Sequence, residues 1–190
     1  MLNILPRSFY DRNTVSVARD LLGKKIVRKI GNQRISGIIT ETEAYCHQND
    51  PASHAFRRKT ERNRAMFEEI GRAYVYFTYG MYFCFNVVAR HSKADAGAVL
   101  IRAIHPEKGI EIMKKNRGKN DERILSDGPA KLAQALDITK KQYGIDLTKK
   151  SELFIAEGLP KPRKVTASPR IGISTALDNL WNFKFSIKGK

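Results

Sequence analysis

The sequence predicts an α+β fold, one mixed domain over residues 1–190 with a mainly antiparallel sheet and flanking helices. Three observations carry this. Segments rich in β-branched and aromatic residues occur as neighbouring pairs joined by tight turns. They do not alternate regularly with helical segments, as a doubly wound parallel sheet would require. No linker, repeat or low-complexity run divides the 190 residues, a length that suits one domain.

The elements follow in chain order. Asn13 or Thr14 can cap a helix from about Thr14 to Leu22, with Val15, Ala18, Leu21 and Leu22 on one face and Gly23 at its stop. Lys25 to Ile30 and Arg34 to Glu43 read as strands around a Gly31-Asn32 turn. Thr60 to Ile70 reads as a helix stopped by Gly71. Tyr74 to Tyr79 and Met81 to Val88 form the clearest hairpin, with Tyr79-Gly80-Met81 as an apolar tip and Phe77, Phe83 and Phe85 assigned to the sheet core. Val99 to Ile104 is a further strand, and Pro106 to about Asn116 reads as helical. Pro129 suits the first turn of a helix that Ser126-Asp127-Gly128 opens and that runs through Leu136. Leu153 to Ala156, Arg170 to Ile173 and Phe183 to Ile187 are short strand candidates.

Composition narrows the function. With 42% hydrophobic and 28% charged residues, the chain is neither a membrane protein nor globally disordered. No apolar run nears the ~20 residues that span a bilayer. The start, Met1 to Arg7, turns polar too soon for a signal peptide, and Cys46 and Cys84 alone make no disulfide framework. A cytoplasmic protein is expected, nucleoid-associated if bacterial. The net charge is +16, and the excess is spread, with 16 basic and 9 acidic residues in 1–95 and 19 and 10 in 96–190. A basic folded body points to a polyanion, most often nucleic acid.

Several residues could carry chemistry. Glu41 and Glu43, two apart on a strand, project from one face, where like charges resist joint ionisation and one carboxylate can serve as a base; an exposed polar strand end is the plainer alternative. Cys46, His47, Asp50 and His54 are metal-ligand types at a spacing that matches no zinc pattern, so no metal is assigned. Tyr74 and Tyr76 share a face of the hairpin, and tyrosines amid basic residues suit base stacking, worth about 1–3 kcal/mol per base. Arg57, Arg58, Lys59, Arg62 and Arg64 form a basic cluster for phosphate or for solvent. Lys131 lies in a first helical turn, where free N–H groups favour an anion.

Six segments in one order carry a resemblance. They are Glu41-Thr42-Glu43-Ala44-Tyr45, His54, Arg62-Asn63-Arg64-Ala65-Met66-Phe67, the run from Tyr74 to Asn86, Val99-Leu100-Ile101-Arg102-Ala103, and Gly128-Pro129-Ala130-Lys131-Leu132. Together they resemble the alkyladenine (3-methyladenine, or N-methylpurine) DNA glycosylase family over nearly the whole chain. The resemblance implies a curved sheet with a protruding β-hairpin, a monomer, no cofactor, and duplex DNA containing damaged purines as partner. It puts the catalytic base on Glu43 and its water-holding arginine on Arg102. Tyr45, His54 and Tyr76 would hold the extruded base, with the His54 backbone N–H donating to neutral lesions, and Asn86 would crowd the 2-amino group of guanine. Tyr79 would fill the gap left by the flipped nucleotide, with Met81, Tyr82 and Lys131 also on DNA. Two positions depart from the family pattern. The loop between His54 and Arg62 is about one residue short, and Asp127 replaces a neutral residue. A non-catalytic nucleic-acid-binding module, associated with ribosomes or RNA, is the alternative on the same fold. A transferase acting on charged tRNA is a second, resting on fold analogy alone.

Overall fold

The computed structural model describes residues 2–78 and 80–187. Among the described residues eight strands join one curled sheet, and every pairing between them is antiparallel. Its order is β3 (Ala73–Thr78), β4 (Tyr82–Val88), β5 (Gly97–Lys108), β2 (Gln33–Cys46), β1 (Lys25–Ile30) and β6 (Leu153–Ala156). Strand β8 (Asn182–Lys184) adds to the second half of β2, and β7 (Thr166–Ser168) adds to β8.

Strand β2 is the spine. It pairs with β5 along its length, with β1 through its first half and with β8 opposite Glu41–Glu43. Its pairing with β5 slips at three places, and such bulges bend a strand and increase its twist. Glu41 faces Ala103 and Thr42 faces Ile101, so Arg102 is the extra residue at one bulge. Gly37 lies at another, where a Cβ would come within 2.6 Å of the His105 carbonyl oxygen.

Helix α1 (Arg7–Tyr10) leads into α2 (Thr14–Asp20), whose first N–H groups bond to the Asn13 side chain. Helix α2 packs on β2 and β5, α4 (Pro129–Ala135) on β4 and β5, and α3 (Ile110–Arg117) on α4. Val17, Leu21, Ile39, Phe85, Ile101 and Leu132 are among the fully buried side chains of the core between these layers.

Four expectations change. The helix over Thr60–Ile70 is only a 3-10 turn, Arg64–Phe67. Buried Asn63 accepts from the Thr60 amide at 2.6 Å and donates to the carbonyls of His54 and Arg58 at 2.7 and 2.9 Å. These bonds hold the segment as a loop in competition with a helix. The helix expected from Pro106 starts at Ile110, because Pro106 lies in β5 opposite Gly37, at a bulge that tolerates proline. Arg170–Ile173 is a turn, and the strand in that region is β7. Phe77 is not core. It is 48% exposed near the hairpin end and packs on Phe83, while Phe85 is buried as expected.

Candidate active site

Two carboxylates and one arginine meet where β2, β5 and β8 join. The period of two puts Glu41 and Glu43 on one face, as the sequence predicts, and the bulge turns Arg102 toward both. Arg102 Nε donates to Glu41 Oε1 at 2.8 Å, and Nη1 donates to Glu43 Oε2 at 3.3 Å. Asn182, opposite Glu43 on β8, donates through Nδ2 to one oxygen of each glutamate at 3.0 Å.

Glu43 is completely buried and accepts from four donors. Oε1 takes the Ile171 amide at 2.7 Å and Asn182; Oε2 takes the Tyr45 hydroxyl at 2.9 Å and Arg102. A carboxylate has about four lone-pair sites, so all are engaged. The Arg102 bond, at 3.3 Å, is the longest of the four, so Oε2 is where an incoming donor has the weakest bond to displace. Burial works to raise the Glu41 carboxyl, but bonds from Asn182 and Arg102, aided by Lys184, hold it below its ordinary range. Burial works against the Arg102 charge, and the two glutamates more than restore it.

A cavity of about 350 Å³ opens beside this cluster, within the size range of small-ligand pockets. Tyr45, His54, Tyr76, Asn86 and Arg102, all singled out from the sequence, line it. Glu43 lies behind the wall and meets the cavity through Tyr45, Arg102 and Ile171, which line it and donate to its carboxylate. Tyr74 and Tyr76 lie 5.5 Å apart, and the His54 ring stands edge-on to Tyr76 at 4.7 Å. His54 Nδ1 is 2.9 Å from the Tyr74 hydroxyl. His54 is exposed as a residue, yet desolvation of its ring against these tyrosines, then the Arg62 guanidinium, pushes the imidazole down to about 4. Burial raises the hydroxyls of Tyr45 and Tyr76, so both stay protonated. Asn86 Nδ2 donates to the Tyr74 carbonyl at 3.1 Å, fixing its amide in the cavity wall.

The remaining candidates separate. Met81 and Tyr82 are 64% and 42% exposed at the hairpin end, and Tyr79 lies outside the described residues. Lys131 sits on α4 as expected, but Asp127 holds its ammonium at 2.9 and 3.1 Å. The basic cluster divides. Arg64 pairs with Glu61 and Glu68, while Arg62 lies over the Tyr76 ring at 5.3 Å and lines the cavity. Arg57 and Arg58 border an adjoining groove with Arg62. Among the described residues no three His, Cys, Asp or Glu side chains converge as a metal site, and Asp50 is bound to Arg170 instead. A wider groove of about 750 Å³ near His91 and Trp181 is lined by Cys46 and His47 but by none of the residues that the resemblance assigns to the base or to DNA.

Asn182, Ile171, Arg170 and Cys84, the last a lining residue of the cavity, were not singled out from the sequence. Only the strand pattern around Phe183 hinted at Asn182, and nothing local marks a backbone amide such as that of Ile171.

The sequence model of the methylpurine-DNA glycosylase (MPG) family matches residues 8–190. The chain is 50% identical over 181 residues to a protein of Carboxydothermus hydrogenoformans, covering 95% of this chain and 94% of that one. It is 46% identical to a protein of Methanocella arvoryzae, covering 95% and 91%, and 43% identical to one of Clostridium acetobutylicum, covering 97% and 94%. All three are named "Putative 3-methyladenine DNA glycosylase". Similarity of this extent, together with the cavity and the carboxylate cluster behind it, means that the chain belongs to the methylpurine-DNA glycosylase family.

Proposed function

We propose that this protein is a monofunctional DNA glycosylase that flips alkylated or deaminated purines out of duplex DNA and hydrolyses the N-glycosidic bond, leaving an abasic site. The observation that carries this reading is the Glu43 carboxylate, held by Arg102 and Tyr45 at the back of an aromatic cavity. A module that only binds nucleic acid has no use for such a buried acid.

In this reading the base enters the cavity and meets the rings of Tyr45, His54 and Tyr76. A cationic base such as 3-methyladenine gains attraction to the tyrosine faces. The neutral imidazole of His54 adds no opposing charge. Neutral lesions rely on the His54 backbone N–H, and the fixed amide of Asn86 crowds a guanine 2-amino group. As the glycosidic bond stretches, positive charge grows on the sugar, and Glu43 stabilises it. Water enters between Tyr45 and Arg102, reaches Oε2, and gives its proton to Glu43 as it attacks C1′. Glu41 shares only Arg102 with the cavity wall, whereas three wall residues bond to Glu43, so one carboxylate serves the water and direct displacement with inversion is favoured.

The hairpin is the proposed reading element, with Tyr79 filling the gap and exposed Met81 and Tyr82 against the groove, so that part of the unstacking cost is recovered. Lys131 reaches a phosphate only by leaving Asp127. Among the described residues no helix is long and apolar enough to cross a membrane, in keeping with a protein that works on DNA in the cytoplasm. The test is a panel of duplexes, each with one defined purine lesion, scored for abasic sites. Release of at least one alkylated or deaminated purine is expected, and release of none would overturn the reading.

A further inference from the structure

One buried ion pair outside the cavity grips the strand that carries Glu43. The side chains of Arg170 and Asp50, 120 residues apart, are both fully buried. Arg170 donates through Nη2 to Asp50 Oδ1 at 2.6 Å and through Nη1 to Asp50 Oδ2 at 2.8 Å. The same Nη1 donates to the Ala44 carbonyl at 2.9 Å, and Asp50 Oδ2 accepts from the Cys46 amide at 2.8 Å. The pair thus clamps the backbone on either side of Tyr45.

The guanidinium also touches the rings that matter. It lies 4.7 Å from the centre of the Tyr45 ring and 5.1 Å from that of Trp181. The next residue, Ile171, gives its amide to Glu43 Oε1 at 2.7 Å. Trp181 accepts from the Ala44 amide at 3.0 Å and precedes Asn182, the other donor to Oε1. One pair therefore sets the Tyr45 ring and both donors to Glu43 Oε1, yet neither of its members lines the cavity.

Stability alone is a poor reason for this arrangement. Desolvating two charges offsets most of their attraction, and a well-packed apolar substitute often serves the fold as well or better. What an apolar substitute lacks is direction: a planar fork with fixed donors. We propose that Arg170 and Asp50 are positioning residues for base excision, fixing the Glu43 carboxylate through Ile171 and the Tyr45 ring by stacking. This rests on the glycosylase reading above.

The experiment compares single-turnover excision at saturating enzyme with equilibrium binding to the same lesion duplex. It uses the wild type, Arg170→Lys, and the double variant Asp50→Leu/Arg170→Met, which fills the site without charge. Misplacing a reacting group by about 1 Å can cost about 100-fold in rate. The folded double variant and Arg170→Lys should excise about 10- to 100-fold more slowly. Their Kd, dominated by phosphate contacts, should stay within about 3-fold of the wild type. A folded double variant that excises within twofold of the wild type would overturn the proposal. So would a rate loss that disappears at saturation. If the double variant does not fold, Arg170→Lys carries the same two readings. A wild type inactive on every lesion sinks the glycosylase reading and this role with it; an active wild type beside an unimpaired variant sinks this role alone.

Discussion

At the scale of single residues, the hairpin pattern marked Tyr76 and residue type marked His54, whereas Tyr45, Asn86 and Arg102 came from the family resemblance alone. Tyr45, His54, Tyr76, Asn86 and Arg102 were singled out from the sequence, and all line one cavity. What sequence could not disclose is the backbone amide of Ile171, since every residue but proline has one, or the partner of Asp50, 120 residues away. His54 gives a prediction at this scale. Its ring is packed among tyrosines beside Arg62, and both influences disfavour the imidazolium. An NMR titration should find its midpoint well below the ordinary 6.5. Because the folded value is depressed, any stability that this histidine contributes is present above 6.5 and lost as pH falls toward about 4. A midpoint above 6.5 would show that the imidazolium is favoured in the cavity and remove the neutral wall from the account.

At the scale of elements, strands were read better than helices. The period of two and the Gly31-Asn32 turn located β1 at its observed bounds, Lys25–Ile30, and the hairpin to within a residue. The failures arise from hydrogen bonds and pairings that compete with local pattern, some near in sequence and some distant. Helical spacing in Thr60–Ile70 was overridden because Asn63 bonds three backbone groups, and the Tyr143 hydroxyl takes the Ala65 amide at 2.8 Å. The bulge at Arg102 depends on how β2 and β5 align, which neither strand encodes alone. That bulge is what turns an arginine in a paired strand toward two glutamates. Asn63 supplies the prediction for this scale. Asn63→Ala removes three hydrogen bonds made by a buried side chain, those to His54, Arg58 and Thr60, and should destabilise the fold by about 1–3 kcal/mol in urea unfolding. The loop that carries His54 should loosen with it and weaken binding to lesion DNA. Unchanged stability would mean that the loop is held by other contacts.

For the whole molecule, net charge was the first clue and remains the broadest. A charge of +16 divided almost evenly between the halves makes a basic body, and the mouth of the cavity adds Arg62 to it. If about six phosphates are neutralised, the logarithm of the duplex binding constant should fall with the logarithm of salt concentration at a slope near −5. A flat response would contradict binding to a polyanion. The curl of the sheet, which brings β8 onto β2 opposite Glu43, was expected from family resemblance and not from pattern, because curvature arises where bulges and pairings coincide.

Base release by Glu43→Gln bears most directly on the whole account. Glutamine keeps the size of the side chain and loses the proton acceptor, so the variant should bind a duplex carrying 3-methyladenine about as well as the wild type does. Its single-turnover release of the base should fall by at least 100-fold, the low end of what a general base contributes. Release at the wild-type rate would mean that Glu43 does not activate the water, and the proposed mechanism would fail.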